Sequence, residues 1–323
     1  MRAIVFEEFG GPDVLTYVEV ALPEPGSGEV TIDVAYSGVN FADIKARSEG
    51  YRVPSLPFRP GLEVSGVIRA VGPDVTGLAP GQEVAALVDG GGYAEVVVAP
   101  AATVFGIPDG LSLRAGATLP SALPTAYALL YEVARLREGD TVLIQGAAGG
   151  IGTVAGQLAR MGGASAVYGV VSSLDKAEHA LKSGYDQVFA ADTFDTDVRA
   201  ATGGRGVDIA LDPVGGETFQ RTLAVLGRFG RLVSFGNACS GEPWRIGPAD
   251  TYPLGVSVAG FSILSMAAAD PARLRVIAEQ AFRTVAEGEV ELPVSAEFAL
   301  ADAAAAHRLV ESRTSTGKLL LRV

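Results

Sequence analysis

The chain has 323 residues, 48% of them hydrophobic and 19% charged, which is length and apolar content for about two globular domains. A formal net charge of -12 argues against nucleic acid or an anionic membrane surface as a partner, and the single cysteine, Cys239, excludes an internal disulfide framework. No run of about 18 uninterrupted apolar residues occurs, and the acidic start Met1–Glu8 lacks the apolar core of a secretory signal, so a soluble cytoplasmic protein is expected.

Residues 1–118 read as mostly β. Short β-branched runs lie at Arg2–Phe6, Leu15–Val20, Val30–Tyr36, Val64–Val71, Glu83–Val88 and Ala94–Ala99, separated by Gly and Pro clusters. Many short strands with such turns imply a small, partly open β-barrel. A helical stretch at Asn40–Arg47 interrupts them, and further helical patterns lie at Leu113–Leu119 and Ala126–Ala134. Strands then alternate with helices. The strands are 141–144, 166–171, Gln187–Phe189, Val207–Leu211, Arg231–Ser234 and Val256–Phe261; the helices are 151–161, 174–183, 195–202 and Glu217–Leu226. This alternation implies a doubly wound parallel sheet of Rossmann type. A long helix at about 270–287, another at Ala301–Glu311 and a strand at Lys318–Val323 that returns to the N-terminal β domain complete the chain.

The stretch Gln145-Gly146-Ala147-Ala148-Gly149-Gly150-Ile151-Gly152 joins strand 141–144 to helix 151–161. Small residues there let the backbone approach a pyrophosphate, and the helix N-terminus offers unpaired N–H groups and a positive dipole end. Gly146, Ala147, Gly149, Gly150, Ile151 and Gly152 are therefore candidate cofactor contacts, although a tight βα turn that binds nothing uses the same residue types. An acid about 20 residues beyond such a turn holds the ribose 2′-hydroxyl of NAD. Here the count reaches Ser172 and Ser173, with Lys176 one turn on. Hydroxyls and a cation suit a 2′-phosphate, which favours NADPH over NADH. Asp175 weighs the other way, and the serines also suit helix capping.

Zinc sites need clustered Cys, His or carboxylate. Cys239, His179 and His307 have no such sequence neighbours, so no metal is expected and both histidines are read as surface residues of polar helices. No Gly-x-Ser-x-Gly elbow occurs either.

Several separated segments carry a resemblance: Ser37-Gly38-Val39-Asn40-Phe41-Ala42-Asp43, Pro60-Gly61-Leu62-Glu63-Val64-Ser65-Gly66, Gly91-Gly92-Tyr93-Ala94-Glu95, Leu123-Pro124-Thr125-Ala126-Tyr127, Gly146–Gly152, Asp212-Pro213-Val214-Gly215-Gly216, Ser234-Phe235-Gly236-Asn237 and Gly317-Lys318-Leu319. In this order they resemble the medium-chain dehydrogenase/reductase superfamily, and within it the zinc-free quinone oxidoreductase (zeta-crystallin-like) branch, over essentially the whole chain. The resemblance implies a GroES-like, partly open β-barrel catalytic domain at 1–118 and 264–323 and a Rossmann NADPH-binding domain at 119–263, with substrate between them. Metal-dependent relatives carry cysteine where Asn40 stands and Gly-His-Glu where Gly61-Leu62-Glu63 stands, and their four-cysteine lobe is absent, which disfavours alcohol oxidation. The implied activity is hydride transfer from NADPH to a quinone. Reduction of α,β-unsaturated ketones or thioesters, and NADPH binding without turnover, are the alternatives.

The resemblance also implies roles by position. Asn40, Phe41 and Asp43 would lie beside the nicotinamide, and Thr125 would position it. Gly149, Gly150 and Ile151 would line the pyrophosphate. Ser172, Ser173, Lys176 and Arg313 would surround the 2′-phosphate. Val214, Phe235, Gly236 and Asn237 would run along the cofactor, and Phe261, Ser262 and Ile263 would border the nicotinamide. Tyr51 matches a family tyrosine near the pocket, and Lys45 stands where several relatives have another; solvent, Tyr51 or Lys45 would meet charge on the acceptor oxygen. The apolar, β-prone segment 256–263 would pair across a two-fold axis and make a homodimer, the alternative being a helix that covers this edge.

Overall fold

The structure, a computed structural model, describes residues 1–239 and 244–323. Two compact units make up the chain: Met1–Pro124 with Leu264–Gly288 and Leu292–Val323, and Thr125–Ile263 with Glu289–Glu291. In the first unit β1 (Arg2–Val5) pairs antiparallel with β2 (Thr16–Glu19). The strands β3 (Glu29–Val39), β4 (Glu63–Val71), β5 (Glu83–Leu87), β6 (Val96–Pro100) and β7 (Val104–Gly106) follow. The long β3 carries the sheet, with β4 and β6 both pairing antiparallel to it. Val30, Ile32, Val64, Ile68, Val84 and Val97 point inward from these strands and form one core.

The second unit holds β8 (Thr141–Gln145), β9 (Ala166–Val171), β10 (Gln187–Ala190), β11 (Val207–Asp212), β12 (Leu226–Ser234) and β13 (Ser257–Gly260). They lie in the order β10-β9-β8-β11-β12-β13, and every pairing is parallel. All five residues of β8 are buried, as a sheet covered on both faces requires. The strand order reverses between β8 and β11, which is where ligands bind in open α/β sheets. The chain then returns to the first unit, where β14 (Val294–Ala299) runs parallel to β15 (Lys318–Arg322) and β15 pairs antiparallel with β3. The strand expected at Lys318–Val323 therefore does close onto the N-terminal β structure.

Local differences from the sequence reading have physical causes. The helix expected at Ala126–Ala134 starts at Ala122 and continues from Ala128 to Val133 as a π-helix. The helix expected to reach Leu226 stops at Ala224, because Leu226 already opens β12. That strand hides in the sequence behind Gly227, Gly230 and a bulge where Phe229 takes φ 58°. β7, β14 and the helix Ile263–Ala269 were not expected; β14 alternates half-buried and exposed residues and contains Ser295 and Glu297. No helix among the described residues is long and apolar enough to cross a membrane.

The helix Phe41–Glu49 follows directly on β3 and is anchored through its buried face. Asp43 is its anchor. Its Oδ2 accepts the Asn40 N–H at 2.8 Å and the Tyr93 hydroxyl at 3.3 Å, and its Oδ1 accepts the Gly61 N–H at 3.1 Å. The Tyr93 hydroxyl also lies 3.2 Å from His307 Nε2. His307 is fully buried, contrary to the expectation of a surface position: it shares a helix face with Ala303 and Ala306. Burial, and then the nearby Arg47, push its imidazole down to about 3, so it is neutral at neutral pH. His179 is half-buried and meets Thr153 Oγ1 at 2.9 Å. Arg47, fully buried, pairs with Glu311 and donates to the Gly10 carbonyl at 2.7 Å.

Burial pushes the Asp43 carboxyl up from 3.8 to about 7, against the pull of the Asn40 N–H and of Lys318. The folded state thus holds a proton that the unfolded chain releases above about pH 4. Stability from this group is full below that pH and is lost as pH rises to about 7. The stability difference between the wild type and Asp43→Asn, from denaturant midpoints, is expected to fall between about pH 4 and 7 and then level off. A difference flat across that window would show an ordinary carboxyl.

Candidate active site

The candidate residues fall into two groups, one in each unit. In the second unit five strands end on one edge of the sheet, because the parallel registers align them. Gln145 pairs with Val170, Asp212 with Ser234, and Ser234 with Gly260. The residues that follow these ends are Gly146, Ser172, Val214, Phe235–Asn237 and Phe261–Ile263, so the fold gathers the predicted cofactor residues along that edge.

At the edge, Gly146 turns the chain with φ 69° and Ala147 N–H donates to Val170 O at 2.9 Å. The helix Gly150–Met161 begins after Gly149, which offers no side-chain cap. Its first N–H groups therefore have no intrahelical partner. A Cβ on Gly152 would lie 2.7 Å from the Ala147 carbonyl carbon, so only glycine lets the helix start this close to the turn. On the far side of the switch point Asp212 accepts the N–H groups of Val214 at 2.7 Å and Gly215 at 3.2 Å. Burial raises its carboxyl to about 6. The segment Phe235–Cys239 runs alongside: Phe235 N–H donates to Asp212 O, Ala238 N–H to Pro213 O and Cys239 N–H to Val214 O.

Two observations fit a dinucleotide on this edge. The uncapped helix start presents donors to a pyrophosphate. Asn237 Oδ1 is buried and accepts no hydrogen bond among the described residues, so a ligand donor would complete it. At the end of β9, Ser173 accepts the Asp175 N–H at 3.3 Å and donates to the Asp175 carboxylate at 2.9 Å. It is committed to the cap, whereas Ser172 is exposed. Lys176 stands half-buried at the start of the helix Ala177–Lys182. Thr125 is buried in this unit, and Arg313, exposed at φ 57°, belongs to the first.

In the first unit, Asn40 N-caps the helix Phe41–Glu49 through its backbone alone. Its side chain goes elsewhere. Oδ1 lies 2.8 Å from Lys318 Nζ, and Nδ2 lies 2.9 Å from Glu63 Oε1. Lys318 and Glu63 form a buried ion pair, and Glu63 Oε2 accepts the Ser121 N–H at 3.0 Å. Phe41 is exposed, Lys45 pairs with Glu49 at 2.6 Å, and Tyr51 is exposed at the following turn, so the last two do not join the Asn40 cluster. Lys318 and Glu63 had received no role from the sequence. The available signal was a charge at the head of each of two apolar runs, Lys318-Leu319-Leu320-Leu321 and Glu63-Val64.

Zinc does not fit this cluster. The cluster contains no cysteine or histidine, and its oxygen donors, Glu63 and the Asn40 carboxamide, already hold the Lys318 ammonium. No group of three or more His, Cys, Asp or Glu among the described residues is arranged to hold a metal.

Comparison with known proteins agrees with this architecture. The family model for the alcohol dehydrogenase GroES-like domain matches residues 26–109, and that for zinc-binding dehydrogenases matches residues 150–278. The quinone oxidoreductase of Mus musculus is 34% identical over 330 residues, covering 99% of this chain and 97% of that protein. The synaptic vesicle membrane protein VAT-1 homolog-like of Homo sapiens is 31% identical over 341 residues, covering 100% of this chain and 81% of its own. The crystal structure of the Escherichia coli quinone oxidoreductase complexed with NADPH matches with a TM-score of 0.92 at 31% identity and covers 100% of both chains. The chain belongs to the medium-chain dehydrogenase/reductase superfamily of oxidoreductases, in its zinc-free, quinone oxidoreductase-like branch.

Proposed function

We propose that the chain is an NADPH-dependent quinone oxidoreductase. The observation that carries this reading is the buried Lys318–Glu63–Asn40 cluster, a fixed cation and amide with no cysteine or histidine to offer a metal. No set of metal ligands among the described residues stands ready to bind an alkoxide, which weighs against alcohol oxidation. Reduction of an electron-poor acceptor needs only alignment and exclusion of water. NADPH, when bound, supplies a hydride from its nicotinamide.

The chain's own residues bind and orient. Gly149, Gly150 and Ile151 offer backbone N–H groups to the pyrophosphate. Ser172, Lys176 and Arg313 meet the 2′-phosphate, with Ser173 holding the end of β9 in shape through Asp175. Val214, Phe235, Gly236 and Asn237 run along the cofactor, and Thr125, Phe261, Ser262 and Ile263 take the nicotinamide. Asn40, Phe41 and Asp43 belong to the reacting end, while Lys45 and Tyr51 stand at its margin. The outer edge of β13 pairs with no strand among the described residues, which supports a homodimer formed by pairing across that edge.

NADPH oxidation is expected with an ortho- or para-quinone and not with a crotonyl thioester; turnover of the thioester alone would instead make the chain an enoyl reductase. Ser172→Asp is expected to weaken NADPH binding at least about tenfold relative to NADH, through repulsion of the 2′-phosphate. Equal NADPH affinity in that variant, read by cofactor fluorescence, removes Ser172 from the phosphate site. Sedimentation is expected to return twice the mass of one chain.

A further inference from the structure

We propose that Lys318 and Glu63 are positioning residues that lock the Asn40 carboxamide, so that its one unshared amide N–H is held as a donor for the carbonyl oxygen of the electron acceptor. This rests on the reading of the chain as a reductase of quinone-like acceptors.

The chemistry of the neighbours fixes which way the amide faces. An ammonium has donors and no acceptor, so the atom 2.8 Å from Lys318 Nζ is the amide oxygen. A carboxylate has acceptors and no donor, so the atom 2.9 Å from Glu63 Oε1 is the amide nitrogen. A flipped amide would set N–H against ammonium and oxygen against carboxylate. Both clamping groups are themselves held. The three N–H donors of Lys318 go to Glu63 Oε1, Asn40 Oδ1 and, at 3.4 Å, Val39 O. Glu63 is engaged at its second oxygen by the Ser121 N–H. Lys318 is 3% exposed and Glu63 0%, so water does not compete.

What remains is the second hydrogen on Asn40 Nδ2. It has no partner among the described residues, and Asn40 is only half-buried. The ammonium on Oδ1 polarises the amide and strengthens that donor. Reduction of a quinone or an enone places negative charge on a carbonyl oxygen, and a donor fixed in advance stabilises that charge without reorganising. The clamp also explains Gly38. A Cβ there would lie 2.7 Å from Glu63 Cγ and Cδ, so any side chain at 38 displaces the carboxylate from beneath Asn40.

The Glu63→Leu/Lys318→Met double variant removes both charges together and leaves neither buried alone, so the fold is expected to survive. It is expected to keep NADPH affinity by fluorescence and to lose at least about tenfold in kcat with 1,4-naphthoquinone, with Gly38→Ala showing the same pattern. A structural role alone would lower the melting temperature and leave kcat of the folded enzyme unchanged, which overturns the proposal. A readout independent of turnover comes from side-chain amide NMR, with the Asn40 pair assigned by its loss in Asn40→Ala. The wild-type protons are expected to be widely split, with the upfield one shifting when 1,4-naphthoquinone is added without NADPH; both features are expected to vanish in the double variant. An unsplit wild-type pair, or one that ignores naphthoquinone, also overturns the proposal. A wild type that passes the NMR test yet oxidises NADPH with no carbonyl acceptor overturns the reductase reading and leaves the clamp standing.

Discussion

An ammonium cut off from water must have its hydrogen bonds supplied by the protein, and the first unit is arranged to supply them to Lys318. Three strands converge for this purpose. β15 carries the lysine, β3 supplies Val39 O and runs on into Asn40, and β4 opens on Glu63. The register pairs Leu319 with Val39 and Gly38 with Glu63, and it brings the charges together. A slip of one residue would turn Lys318 to the other face and break the core and the cluster at once. The helix Phe41–Glu49 inherits its place from the same junction, with Asp43 tying it to Gly61 and, through Tyr93, to His307.

The second unit solves a different problem by simpler means. Parallel strands in aligned registers end on one edge, and the loops that follow them gather there. Asp212 shows how little is needed: one buried carboxylate accepts the next two available N–H groups and shapes the turn after β11. A glycine-rich turn and an uncapped helix do the same after β8.

This contrast explains what could be read from the sequence. The turn at 145–152, the alternation of strands and helices and the closing strand near 318 all depend on local composition and period, and they stood out. The Lys318–Glu63 pair joins residues 255 positions apart, and no local pattern reports such a distance. His307 was misread because its charge type was weighed more heavily than its place on a face with Ala303 and Ala306. Ser173 could be placed, but its choice between a ligand and Asp175 is made by geometry at the scale of one hydrogen bond.

The origin of β15 near the far end of the chain has a consequence for synthesis. The second unit is residues 125–263 with only Glu289–Glu291 added, so almost all of its sequence precedes the last segment of the first. Glu63 leaves the ribosome 255 residues before its cation. Until Lys318 emerges, the carboxylate stays hydrated or takes up a proton, because a carboxylate buried without a partner is costly. A chain that lacks Lys318 leaves the Glu63 carboxylate in the first unit without its cation.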